Sequence, residues 1–263
     1  MKLMTSIIYL LALLPFPSYA APPQVIQSEQ ATFVLEEVTD GLGIPWGLAF
    51  ISKTQLLITE REGSIKLLDI QRNTLTPVQG APAVLAKGQG GLMDVAVPPD
   101  FTAGDWIYFT FVRAGDGEGV TVLARAKLNS SKLVQWQDLL ETRSGADTGY
   151  HFGSRIAFDE KGFVYFGVGD RGERPLAQNL SNHVGSVMRI YRDGRVPEDN
   201  PFVTRDDVLP EIWSYGHRNP QGMAYDEAQK RLWLIEHGPR GGDEINLVLP
   251  GRNYGWPVIS YGK

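Results

Sequence analysis

Cysteine is absent from all 263 residues. That excludes disulfides, thiol nucleophiles, thiolate zinc sites and iron–sulfur clusters, so the fold must be held by its core, by closure of its sheets or by a bound metal. Basic runs are absent as well. Lys and Arg number 25 against 30 Asp and Glu, a formal charge of -5, and such a field repels phosphate, so no nucleic-acid partner is expected. No long amphipathic helical pattern is present; the stretch Asp206 to Ser214 holds one short turn at most. Beyond the N-terminus no apolar run approaches the ~20 residues that a bilayer span requires.

Glycine and proline, by contrast, are plentiful at 29 and 17, which suits many short turns. Hydrophobic residues make up 43%, enough for a sizeable core. The chain opens with Lys2, an apolar run from Ile7 to Leu14, and Ser18-Tyr19-Ala20. This is the pattern of a secretory signal peptide over residues 1–20, cleaved after Ala20, and it predicts a periplasmic protein with no membrane span once the leader is gone. Residues 21–263 then form the folded domain.

Four segments of that domain resemble one another. Each is a short apolar strand ending in Ala and a bulky residue, then a polar turn, then a second strand that runs into a polar or glycine-rich loop. The alanines fall at 49, 96, 157 and 224, in steps of 47, 61 and 67 residues. Further strands fit at Ser64 to Leu68, Val120 to Ala126, Val187 to Tyr191 and Ile245 to Leu249. A blade period of ~40–50 residues with inserted loops predicts an all-β propeller of about four to five blades. Asn253-Tyr254-Gly255-Trp256-Pro257 reads as blade interior, so a longer propeller, cut short at its C-terminus, is expected.

The polar loops after these strands carry the chemistry. His151, in a loop before a strand, is available as a general base near neutral pH, although its spacing fits a surface histidine equally. Asp170, among the glycines of Gly167-Val168-Gly169-Asp170-Arg171-Gly172, is placed to orient a histidine or to bind metal; a simple turn aspartate is the commoner meaning. Arg218 and Asn219, in Gly216-His217-Arg218-Asn219-Pro220-Gln221-Gly222, form a dense set of donors for a developing negative charge on oxygen. Gly238-Pro239 followed by Asp243-Glu244 offers carbonyls and carboxylates to a hard cation such as calcium, or else a tight turn with a solvated acidic pair.

Taken together, His151-Phe152-Gly153-Ser154-Arg155, Gly216 to Gly222, and Gly238-Pro239 with Asp243-Glu244-Ile245-Asn246 resemble the soluble pyrroloquinoline quinone (PQQ)-dependent sugar dehydrogenases, most closely their periplasmic aldose sugar dehydrogenase branch. The resemblance runs from about Val34 onward and implies a six-bladed β-propeller. It implies His151 as the base that takes a substrate hydroxyl proton during hydride transfer, with Asp170 supporting it. It implies Arg218 and Asn219 as contacts to PQQ, Gln89 near substrate and quinone, and the carbonyls of Gly238 and Pro239 as ligands of a calcium ion. Glu244 and Tyr254 match a second, structural calcium site. Further Lys and Arg contacts to PQQ fall, in the family, beyond the end of this sequence. The implied reaction oxidises the C1 hydroxyl of an aldose to a lactone and passes electrons to an acceptor the sequence does not name. Two other readings stay open from the residues: a calcium-dependent lactonase-type hydrolase with His151 activating water, and a non-catalytic propeller fragment.

Overall fold

The computed structural model describes residues 23–115 and 118–262. The expected leader, residues 1–20, lies outside them. Internal contacts divide the chain after Gly41, where the sequence alone ran a single domain from residue 21. In the first unit, β1 (Gln24–Gln27) and β2 (Thr32–Leu35) form an antiparallel hairpin. Its turn is closed by Ser28 Oγ, which accepts from the Ala31 N–H and donates to the Ala31 carbonyl.

The second unit is a series of four antiparallel sheets. The first holds β3 (Pro45–Phe50), β4 (Gln55–Glu60), β5 (Ile65–Asp69) and β6 (Thr74–Val78). The second holds β7 (Leu92–Ala96), β8 (Trp106–Ala114), β9 (Gly119–Asn129) and β10 (Lys132–Glu141). The third holds β11 (Ile156–Phe158), β12 (Phe163–Val168), β13 (Ser186–Tyr191) and β14 (Ile212–Tyr215), and the fourth β15 (Pro220–Asp226), β16 (Arg231–Glu236) and β17 (Glu244–Val248). Within each sheet every strand pairs with its neighbour in sequence, the up-and-down meander of a propeller blade. The one helical element among the described residues is a 3-10 turn, Arg174–Gln178.

The recurring alanines have a common structural cause. Each faces a large side chain across the first hairpin of its blade: Ala49 opposite Leu57, Ala96 opposite Tyr108, Ala157 opposite Tyr165, Ala224 opposite Trp233. A small residue beside a bulky one keeps the paired strands close while filling the layer between blades. Alternation then sends side chains to both faces. On β8, Ile107, Phe109 and Phe111 enter the core shared with the first blade, while Tyr108 enters the core shared with the third. A third cluster, with Phe163, Tyr165 and Val187 against Leu232, Leu234 and Val248, joins the third blade to the fourth. Strands buried on both faces read as continuous apolar runs, which is how β8 and β12 appear in the sequence.

Polar links at the inner strands fix neighbouring blades in register. Thr59 Oγ1 accepts from Gly47 N–H at 2.9 Å and donates to the Met93 carbonyl at 2.5 Å. Thr110 Oγ1 accepts from Asp94 N–H at 3.0 Å and donates to the Ser154 carbonyl at 2.9 Å. The buried Asp94 carboxylate accepts from Arg155 Nη1 at 2.7 Å and Ile156 N–H at 2.8 Å. Pairing slips between Pro45 and Gly47, Leu92 and Val95, and Pro220 and Gly222, so three of the four first hairpins carry an irregularity near the start of the inner strand. Such bulges re-aim the chain where loops leave the sheet, and the chemistry-bearing loops leave at that end.

Candidate active site

Three loops that are far apart in sequence meet at Gly169. A Cβ at that position would lie 2.4 Å from the His151 carbonyl oxygen and 2.9 Å from that of Arg218, so only glycine allows the loops to approach. The Asp170 N–H completes the junction by donating to the Arg218 carbonyl at 2.7 Å. The blades therefore bring His151, Asp170 and Arg218 into one place, as expected for loops that follow equivalent strands.

His151 Nδ1 and Asp170 Oδ1 are 2.6 Å apart. An ionised carboxylate only accepts, so the ring proton sits on Nδ1 and the lone pair is on Nε2. Nε2 makes no hydrogen bond among the described residues, and the side chain is 14% exposed. Asp170 is nearly sealed. Burial pushes its carboxyl up, but the bonds from His151, from Gly172 N–H at 2.8 Å and from Trp256 Nε1–H at 2.7 Å outweigh that and hold it below the usual range. The dyad thus presents a directed base with a charged support.

The backbone around His151 is held against its own preference. His151 has φ 57° and Ser154 φ 87°, values that cost on the order of 1 kcal/mol in a residue with a Cβ. Gln89 secures the first of these: its Oε1 accepts from the His151 N–H at 2.8 Å, and its own N–H donates to the Gly149 carbonyl at 2.7 Å. Arg171 braces the residues on either side of His151. It is fully buried, its guanidinium 3.7 Å from the Phe152 ring centroid, and it donates to the carbonyls of Gly119, Ser144, Thr148 and Tyr150. Burial lowers its pKa to about 10, opposed by Glu118 and Asp170.

The fourth blade repeats the dyad. His217 Nδ1 and Glu236 Oε1 are 2.9 Å apart, with the same sequence separation of 19 as His151 and Asp170. Here, however, Nε2 is taken by Ser214 Oγ at 2.9 Å, the ring stacks on Tyr254, and the side chain is 0% exposed. This histidine has no access to substrate. The pair instead aims the next residues: Glu236 Oε2 accepts from the N–H groups of Arg218 at 2.7 Å and Asn219 at 3.4 Å. Burial raises the Glu236 pKa, but the His217 charge and the backbone donors bring it below the usual range.

Arg218 emerges from this support into a crevice that it shares with Glu236, Gly238, Pro239, Glu244, Tyr254 and Trp256. Its Nη1 donates to the His237 carbonyl at 2.9 Å, its guanidinium lies 5.4 Å from the Trp256 ring centroid, and its Nε is buried with no partner among the described residues. Asn219 is buried, its Oδ1 accepting from Gln221 Nε2. The carbonyls of Gly238 and Pro239 accept no hydrogen bond among the described residues. The crevice is tight, about 10 Å³, and a side chain at Gly262 would strike the Pro239 oxygen at 2.1 Å.

Glu244 and Tyr254, expected to mark a separate cation site, line this same crevice. Glu244 Oε2 accepts from Asn246, while the Tyr254 hydroxyl donates to the Leu247 carbonyl and accepts from Leu249 N–H, bracing the turn after β17. Among the described residues no group of three or more His, Cys, Asp or Glu side chains gathers around a metal position. A larger cavity of about 350 Å³ opens beside Gln89, lined also by Trp46, Arg61, Phe152 and Gln221. Sequence reasoning passed over three residues that build the site: Arg171, Glu236 and Trp256. The signal for the first was a cation between glycines at a strand end; for the second, a carboxylate at the end of a blade's second strand, the place Asp170 follows in the blade before.

Residues 42–263 match the family described as Glucose / Sorbosone dehydrogenase. The chain is 41% identical over 236 residues to the aldose sugar dehydrogenase YliI of Escherichia coli, covering 88% of this chain and 64% of that protein. It thus spans less than two thirds of that curated relative's length. Among solved structures, the apo-form of the soluble aldose sugar dehydrogenase from Escherichia coli superposes with a TM-score of 0.83 at 41% identity, over 86% of this chain and 67% of that one. The PQQ-bound aldose sugar dehydrogenase from Streptomyces coelicolor gives a TM-score of 0.75 at 30% identity, over 93% and 68% respectively.

Proposed function

The chain belongs to the glucose/sorbosone dehydrogenase family, and from that premise we propose that it acts as a PQQ- and calcium-dependent dehydrogenase that oxidises the C1 hydroxyl of aldoses to lactones. The observation that carries this reading is the His151–Asp170 dyad, with Nε2 unbonded, joined through Trp256 to a crevice lined by Arg218, Gly238 and Pro239.

The donor set suits calcium and the polar edge of the cofactor; the crevice, about 10 Å³, has room for an ion, and the rings of a quinone need the open space outside it. Gly238 and Pro239 offer unbonded carbonyl oxygens, the hard ligands that calcium takes. The buried Nε of Arg218 has no acceptor among the described residues, and a cofactor rich in carboxylates and carbonyls would supply one. When bound, PQQ supplies a two-electron acceptor for the hydride leaving C1, and calcium a Lewis acid beside it. The residues do the rest. His151 Nε2 takes the C1 hydroxyl proton as the C1–H bond breaks and the C1–O bond becomes a carbonyl. Asp170 balances the imidazolium that results. Gln89 and Arg171 hold the base in its strained backbone position. Arg218, oriented through Glu236, would offer positive charge to the cofactor, with Asn219 beside it.

The expected leader supports export and action in the periplasm, and no helix among the described residues is long and apolar enough to cross a membrane. A small sugar is the substrate; the electron acceptor is a separate molecule. The reading is tested by titrating the purified protein with PQQ in calcium buffer and following glucose-dependent reduction of a redox dye. Saturable PQQ binding with dye reduction that calcium chelation abolishes is expected. Lactone hydrolysis without PQQ, or cofactor binding without sugar oxidation, would overturn it.

A further inference from the structure

Trp256 touches both halves of the site. Its Nε1–H donates to Asp170 Oδ2 at 2.7 Å, across a separation of 86 residues. The face of its ring lies near two guanidinium groups, Arg218 at 5.4 Å and Arg174 at 5.5 Å from the centroid. Its backbone is fixed on either side: the N–H donates to the Gly216 carbonyl at 2.9 Å, and the carbonyl accepts from Gln178 Nε2 at 2.7 Å. The residue is 6% exposed, so this geometry is enclosed rather than incidental.

We propose that Trp256 is a positioning residue that couples the base to the cation of the cofactor crevice: its N–H holds Asp170 in one orientation toward His151, while its ring sets the plane of Arg218. The inference rests on the reading of His151 as base. Asp170 has two oxygens to distribute. Oδ1 serves His151 Nδ1 and Gly172 N–H; Oδ2 serves Trp256. With the indole donor in place the carboxylate cannot rotate without stranding a buried N–H, so Nδ1 keeps its proton and Nε2 its lone pair. The donor also draws charge from the carboxylate and weakens its pull on the His151 proton. The other groups facing this pair are Tyr150, whose ring meets His151 edge-on at 4.8 Å, Arg171, next in the chain, and the two arginines across the indole.

Replacing Trp256→Phe keeps a ring under the arginines, deletes the N–H and leaves a small cavity where the second ring stood. The carboxylate then becomes the stronger acceptor, and the His151 imidazole signals should titrate at higher pH than in the wild-type protein. With only four histidines in the chain, imidazole NMR titration resolves this without cofactor, a His151→Gln spectrum giving the assignment. In the loaded enzyme the acid limb of the rate profile should move in the same direction, so rates on that limb fall. An indole filling space and nothing more would leave the His151 titration unmoved in Trp256→Phe, and that result overturns the proposal. Should the variant not fold, the wild-type protein provides a second test. The Trp256 indole N–H should resist solvent exchange, and its resonance should follow the His151 titration; rapid exchange, or a resonance blind to that titration, overturns it equally. A moved titration in a protein that oxidises no sugar would instead sink the dehydrogenase reading and leave the coupling intact.

Discussion

Replacing Asp170 with asparagine separates orientation from charge at the dyad. The substitution turns one oxygen into an amide nitrogen and leaves the shape unchanged. If the nitrogen faces Trp256, two N–H donors oppose each other across 2.7 Å. If it faces His151 and Gly172, the Gly172 N–H loses its acceptor at 2.8 Å, and His151 Nδ1 must accept instead of donate. The ring proton then moves to Nε2, and the base has no lone pair for the substrate. Either orientation strands a buried donor, at about 1–3 kcal/mol, and forfeits a charge-assisted bond of similar size. A total of about 3 kcal/mol lowers Tm by roughly 6–12 °C for a domain of this size. Turnover should fall by about 10²–10⁴, the usual contribution of a general base, with KM for sugar changed far less. Steady-state dye reduction with PQQ and calcium reads the first effect and calorimetry the second. An Asp170→Asn enzyme that keeps turnover and melting temperature near wild type would refute the assignment of Asp170 as the group that orients His151.

Three further predictions concern the frame. Asp170, Glu236 and the buried Glu211, whose Oε1 lies 2.8 Å from His183 Nε2, are each held below the usual carboxylate range, because bonds to histidine and backbone groups outweigh the burial that raises them. A depressed native pKa gives stability that is complete above the unfolded value, near 4, and is lost as pH falls through the native one. Urea midpoints should therefore drop on acidification below about pH 4, and less so in Glu236→Gln; midpoints level down to pH 3 would contradict this. Thr59→Val removes the hydroxyl that bridges Gly47 and Met93 between the first two blades, and should cost about 1–3 kcal/mol in chemical denaturation. Gly169→Ala drives a methyl onto the His151 and Arg218 carbonyls, so it should reduce turnover and stability together, whereas an alanine tolerated in both assays would mean that the three loops do not meet there.

What the sequence revealed follows the range of each interaction. The blade repeat was legible because the Ala–bulky pairing is built from strands adjacent in sequence, as Ala49 with Leu57 and Ala157 with Tyr165 show. His151 and Asp170 were legible as polar residues in glycine-containing loops, one before and one after an apolar strand, and the hairpin between them brings them together. Trp256 was not, since an indole in a glycine–proline segment reads as core, and its partner Asp170 is 86 residues away. Arg171 was passed over because nothing local requires a guanidinium; its four acceptors come from segments starting at Gly119 and ending at Tyr150. The second dyad shows the limit of residue type as a guide. His217 and Glu236 have the spacing of His151 and Asp170, and burial together with the Ser214 bond to Nε2 distinguishes an architectural histidine from an available base.

The central claim is that a proton leaves the C1 hydroxyl to His151 while the C1 hydrogen departs as hydride. Glucose deuterated at C1 tests it directly in the protein loaded with PQQ and calcium. The account predicts slower single-turnover reduction with the deuterated sugar, a lactone product without deuterium, and one lactone formed per two electrons delivered to dye. Dye reduction with deuterium retained at C1, or lactone formation independent of PQQ, would contradict it.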